Sequence, residues 1–134
     1  MELTLRVFHL EQELSRWQAL LDRRLVVQNV GSLEQLGAQN PRSFSRCNII
    51  LTVRYLHLDV LVHRPFLSKV LDLHVKKATE PRLPPAAANM AAGAIKTCVA
   101  SAESIIAVVH AVLSKPNLGK DLLGAWWFTL FYGE

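Results

Sequence analysis

Ile49 to Leu73 reads IILTVRYLHLDVLVHRPFLSKVLDL, and its pattern decides the fold. It is too apolar for a surface helix and too interrupted by charge for a membrane span. At about 100° per residue, Leu51, Tyr55, Leu58 and Val62 fall on one side of a helix, and Ile49, Val53, Leu56 and Val60 on a second. Two narrow polar stripes separate these sides, one of Asn48, Thr52, Asp59 and His63, the other of Arg54, His57 and Arg64. A helix that is apolar on two sides has to be covered from both. The stretch therefore predicts an all-α helical bundle whose central buried helix spans about residues 45–64, flanked by two or three long helices. Pro65 lacks an N–H and disfavours α geometry in Arg64, so a kink or break is expected there.

Working outward, residues 3–25 predict a first helix. Leu3, Val7, Leu10, Leu14, Trp17 and Leu21 recur with a heptad-like spacing and form its expected apolar stripe. Residues 28–43 hold two glycines, two asparagines and a proline and predict a connection, with Ser43 or Ser45 as a candidate N-cap of the central helix. Beyond Pro65, Phe66, Val70, Leu71 and Leu73 predict a further helix over roughly residues 66–77, which the proline-rich Thr79 to Pro85 ends. Residues 86–114 predict a third long helix. Its expected apolar face is Ile95, Val99, Ala102, Ile106, Val109 and Leu113, widened by Cys98 and Ile105, with Lys96, Glu103 and His110 opposite. Lys115 to Lys120 is a Pro/Gly loop, and LLGAWWFTLFYGE closes the chain.

The 134 residues fit one domain, 1–134, large enough to bury a core. Hydrophobic residues make up 51% and charged residues 19%, which excludes a disordered chain. The net charge is +4, but acidic residues lie between many of the basic ones, so the pattern is a solvated surface rather than a nucleic-acid patch. Cys47 and Cys98 both lie in apolar helical stretches and are expected as buried free thiols, in keeping with a reducing compartment. The start MELTLRVFHL has no cationic region before an apolar run, unlike a secretory signal. Residues 86–113 are broken by Lys96, Glu103 and His110. The expectation is a soluble, intracellular protein without membrane contact.

The run Leu61-Val62-His63-Arg64-Pro65-Phe66-Leu67 resembles the signature helix of the fungal-specific transcription factor domain, the middle homology region of fungal binuclear zinc-cluster regulators. Leu14, Trp17 and Leu21 are similar to a pattern that precedes that helix in the family. Cys98, Ser101, Ala102 and Ile105 are similar to its Cys-x-x-Ala-Ala-x-x-Ile helix, with Ser101 standing where alanine is usual. The aromatic end resembles a helix commonly entered through Pro-Trp, although Ala125 precedes Trp126 and Trp127 here. The resemblance covers roughly residues 14–132 and only the later part of the family's domain, so a partial domain is expected. It implies a non-enzymatic regulatory domain of a nuclear transcription factor that contributes to effector sensing, dimerisation or co-regulator contact. The implied partners are a second copy or a co-regulator protein, with a small-molecule effector as a further option. DNA would be reached only through a zinc-cluster module, which needs six cysteines; this chain has two.

Taken by themselves, the residues offer no catalytic, cofactor or metal site. Asp59 and His63, four apart, could supply the carboxylate–imidazole half of a triad, but no nucleophile elbow accompanies them. A buried polar stripe satisfied by a neighbouring helix is the plainer reading. His57, His63, Cys47 and Cys98 lack the local pairing of zinc ligands, and the glycines are isolated. His63 and Arg64 before Pro65 serve first as helix-end architecture. The functional alternative is an effector pocket or interface formed by His63, Arg64, Phe66, Trp126 and Trp127. A stand-alone helical protein–protein interaction module is the alternative to the regulatory domain.

Overall fold

The computed structural model describes residues 2–22, 25, 42–75 and 85–114. These form three α-helices: α1 (Glu2–Leu20), α2 (Arg42–Val75) and α3 (Pro85–Ser114). The fold is an all-α bundle built around α2. Of the expected connections at 28–43, 79–85 and 115–120, residues 28–41, 79–84 and 115–120 lie outside the described residues, as does the aromatic end at 121–134, whereas Arg42 and Ser43 belong to α2 and Pro85 to α3.

α2 is a single helix through Pro65, not two helices broken there. The missing proline N–H would have bonded the carbonyl of Leu61, and both Pro65 and Leu61 are exposed. The defect therefore lies on an exposed side of α2, while His63 and Phe66 are buried on the inner side. α2 also begins at Arg42, ahead of Ser43 and Ser45, so neither serine caps it. α3 begins at Pro85, where a proline suits the first turn because its absent N–H would have been unpaired anyway. α1 stops at Leu20, short of residue 25. The Leu21 N–H bonds the Gln18 carbonyl (3.2 Å), tightening the last turn.

α2 and α3 run antiparallel along matching seams. On α2 the seam is Ile49, Thr52, Leu56, Asp59, His63, Phe66 and Val70; on α3 it is Ala91, Ala94, Cys98, Ser101, Ile105, Val108 and Val112. Both step three, four, three, four, the spacing that keeps one line of a helix against a partner. Ile49 and Val53 pack with Ile105, Val108, Val109 and Val112 at one end. At the other end Phe66 packs with Ala91, Ala94 and Val7 of α1. Of the expected face of α3, Cys98, Ile105 and Val109 are buried but Val99, Ile106 and Leu113 are exposed, so the face is rotated; the inner line is small at one end (Ala91, Ala94, Cys98, Ser101) and branched at the other (Ile105, Val108, Val112).

α1 lies along α2 in the opposite direction, Val7 near Phe66 and Trp17 stacked on Tyr55 with ring centroids 6.2 Å apart. Val7 is its one buried side chain among the described residues. Leu10, placed on the stripe by its spacing, is half exposed; Glu11 takes the inward position beside it.

By length and composition alone, Ala88–Ser114 could cross a membrane. In the bundle its inner line meets α2, while Lys96, Glu103 and His110 stand exposed on the outer side. Ionisable groups at those depths would be costly in hydrocarbon.

Candidate functional site

The polar stripe Asn48, Thr52, Asp59 and His63 turns out to be the innermost line of α2. Asn48, Thr52 and His63 are almost wholly inaccessible. Burial of this kind requires partners, because an unpaired polar group inside a protein costs about 1–3 kcal/mol. Each helix supplies one. From α3, the Ser101 hydroxyl donates to Asp59 Oδ2 at 2.5 Å. From α1, the Glu11 carboxylate receives the His63 Nε2–H at 2.5 Å.

His63 is the junction of the network. Its Nδ1 lies 2.7 Å from the backbone carbonyl of Asp59 and 3.4 Å from that residue's Oδ1. A carbonyl only accepts, so Nδ1 carries a proton; a carboxylate only accepts, so Nε2 carries one as well. Geometry thus selects the imidazolium. Burial opposes that charge, but the Asp59 carbonyl, the bond to Glu11 and the two nearby carboxylates outweigh it, and the pKa of His63 is raised. Burial also pushes up the Tyr55 phenol and the Cys98 thiol, with the negative charge of Asp59 adding to both; Arg64 partly offsets the rise at Cys98. Cys98 packs its sulfur 3.8 Å from the Val60 carbonyl. Cys47, expected to be buried, is exposed: it stands on α2 beside Asn48 but one step round, away from the seam. Both are free thiols.

The arrangement fastens helices together rather than activating a nucleophile. In a Ser-His-acid relay the serine hydroxyl donates to the imidazole and the acid holds the far nitrogen. Here Ser101 donates to the acid, and both nitrogens of His63 are engaged as donors. Among the described residues no group of three His, Cys, Asp or Glu side chains is arranged to hold a metal ion.

Two hollows open beside the Glu11–His63 contact. One, about 230 Å³, is lined by Val7, Phe8 and Glu11 of α1, His63 and Phe66 of α2, and Met90, Gly93 and Thr97 of α3, among others. The other, about 460 Å³ and shallower, lies over Tyr55 and Asp59 and shares Phe8 and Glu11 with the first. Of the pocket residues named from sequence, His63 and Phe66 therefore meet at one cavity. Arg64 is exposed and does not line that cavity, and Trp126 and Trp127 lie outside the described residues. Glu11 and Ser101 were not singled out as site residues, although both prove to be partners of the Asp59–His63 pair.

The chain is similar to part of the protein named Transcription factor FBD3 from Gibberella moniliformis, with 34% identity over 131 residues that cover 92% of this chain and 16% of that protein. It is likewise similar to part of Transcription factor FBD3 from Fusarium pseudograminearum, with 35% identity over 96 residues, 71% of this chain and 12% of that protein. The chain thus spans a sixth or less of the length of these curated relatives, both named as transcription factors. No family model and no solved structure matches it.

Proposed function

We propose that this chain is a regulatory, non-enzymatic part of a fungal transcription factor that acts in the nucleus and contributes to effector sensing, dimerisation or co-regulator contact. The observation that carries the proposal is the 34% identity to Transcription factor FBD3 along 92% of the chain. The succession of His63-Arg64-Pro65-Phe66, the Cys98 helix and the Trp126-Trp127 segment resembles the fungal-specific transcription factor domain and supports the same reading. Side-chain geometry agrees with it, since Ser101, Asp59, His63 and Glu11 are spent on joining three helices. On this reading DNA is contacted by a zinc-cluster module elsewhere in the parent protein.

A reporter assay tests the proposal. The 134-residue chain is placed between a heterologous DNA-binding domain and a strong activation domain in a fungal host. Reporter output severalfold below or above that of the same fusion with an inert spacer is expected; output equal to the spacer control would overturn the proposal.

A helical interaction module is the second reading. Leu5, Phe8 and Leu20 of α1 are at least half exposed, which supplies apolar surface for a partner helix.

A further inference from the structure

The 230 Å³ cavity lies where all three helices meet, and its lining has a definite chemistry. Phe8, Phe66, Val7 and Met90 make its walls apolar and largely aromatic. Phe8 and Met90 are each about half exposed at its mouth (53% and 49%), so an occupant would remove apolar surface from water that the helices alone leave wet. The volume exceeds the roughly 150 Å³ of an apolar cavity known to take benzene, so one ring with a short substituent fits.

Its polar atoms favour an incoming donor: the Glu11 carboxylate only accepts, and the hydroxyls of Thr4 and Thr97 can accept as well as donate. Glu11 uses Oε1 on His63, and its other oxygen has no partner among the described residues. The Thr97 hydroxyl donates to the Gly93 carbonyl at 3.1 Å, which leaves its lone pairs for an incoming donor. His63 has both nitrogens committed and offers no hydrogen bond to a guest. With two carboxylates, Asp59 and Glu11, around one imidazolium, the local charge balance also disfavours an anion.

We propose that this cavity is a binding site for a small single-ring aromatic molecule bearing an N–H or O–H donor, which lies against Phe8, Phe66 and Met90 and donates to Glu11. The proposal rests on the regulatory reading for its consequence alone. Because Glu11 belongs to α1 and His63 to α2, a guest there stiffens the attachment of α1 to the bundle.

The full chain is titrated with benzylamine, phenol and benzoate and followed by amide NMR. Saturable shifts at Phe8, Glu11, Met90 and Gly93 are expected with benzylamine and phenol and not with benzoate. Gly93 is among the cavity's lining residues and a Cβ there meets nothing within 4 Å, so Gly93→Leu adds an apolar side chain at the cavity without a clash at the Cβ. It should abolish both titrations while far-UV circular dichroism stays unchanged. Glu11→Gln keeps an acceptor for His63 and should weaken benzylamine at least tenfold, and phenol less. No saturable binding by either donor, equal binding of benzoate, or unchanged binding in both variants would overturn the proposal. Titrations as expected alongside an inert reporter fusion would uphold the site and overturn the regulatory reading; the reverse pair would do the opposite.

Discussion

His63 sets the chemistry at the scale of single residues. Its folded-state pKa lies above the unfolded value of about 6.5, because the Asp59 carbonyl and the Glu11 carboxylate outweigh the burial penalty. A group raised on folding contributes stability that is fully present below its unfolded pKa and is lost as pH rises through its folded one. Urea unfolding from pH 5.5 to 9 should therefore show stability falling above about pH 6.5, and His63→Gln should flatten that slope. The same variant should cost about 2–4 kcal/mol at pH 6, since it breaks a buried charged hydrogen-bond junction. Ser101→Ala leaves Asp59 without its α3 donor and should cost about 1–2 kcal/mol in the same measurement. Half of this site could be read from the sequence. Asp59 and His63 declare themselves by standing four apart on one stripe. Glu11 and Ser101 do not, because their partnership depends on how α1 and α3 are rotated, and a lone glutamate or serine on a helix is ordinarily a solvated residue.

At the scale of elements, local signals and tertiary context disagree most visibly at Pro65. A proline inside a helix predicts a break, yet α2 continues, because the defect lies on an exposed side while its neighbours His63 and Phe66 are buried. Pro65→Ala should restore the bond to the Leu61 carbonyl and raise stability by about 1–3 kcal/mol, read from thermal or urea unfolding. A loss of stability would mean that a bend at Pro65 is needed to seat Phe66. α3 shows a different conflict. Its helix was legible from length and alanine content, but its inner face only in part: Cys98, Ile105 and Val109 are buried as expected, whereas side-chain size favoured Val99, Ile106 and Leu113 over the small Ala91, Ala94 and Ser101 that are buried instead. α1 is held most lightly, with Val7 buried and Glu11 and Trp17 making the remaining named contacts. Amide hydrogen exchange should accordingly show α1 opening at lower free energy than the centres of α2 and α3, and Val7→Ala should lower α1 protection without altering exchange at Val53 or Val108.

For the whole molecule, the all-α bundle with a central helix was legible because an apolar pattern on two sides admits no other burial. What the bundle leaves uncovered was not, since exposure is settled only once every helix has chosen its face. Val99, Ile106 and Leu113 stand seven residues apart on the outer side of α3 and draw an apolar line about 21 Å long at 1.5 Å per residue. A strip one side chain wide over that length falls well short of the roughly 800 Å² per partner that a stable interface buries. Alone it supports weak association; joined to a second surface, such as Leu5 and Phe8 of α1 or the Trp126-Trp127 segment, it could support a dimer. Light scattering coupled to size exclusion separates these cases. The full chain is expected to shift from monomer toward dimer as concentration rises, and Ile106→Glu, at a position already 61% exposed and so tolerant of charge, should hold it monomeric without loss of helicity. A chain ending at Gly119 that still dimerises would place the contact on the helices. A folded monomer from that shortened chain would make the aromatic segment a necessary part of the contact, and an Ile106→Glu full chain that still dimerises would remove the α3 strip from it.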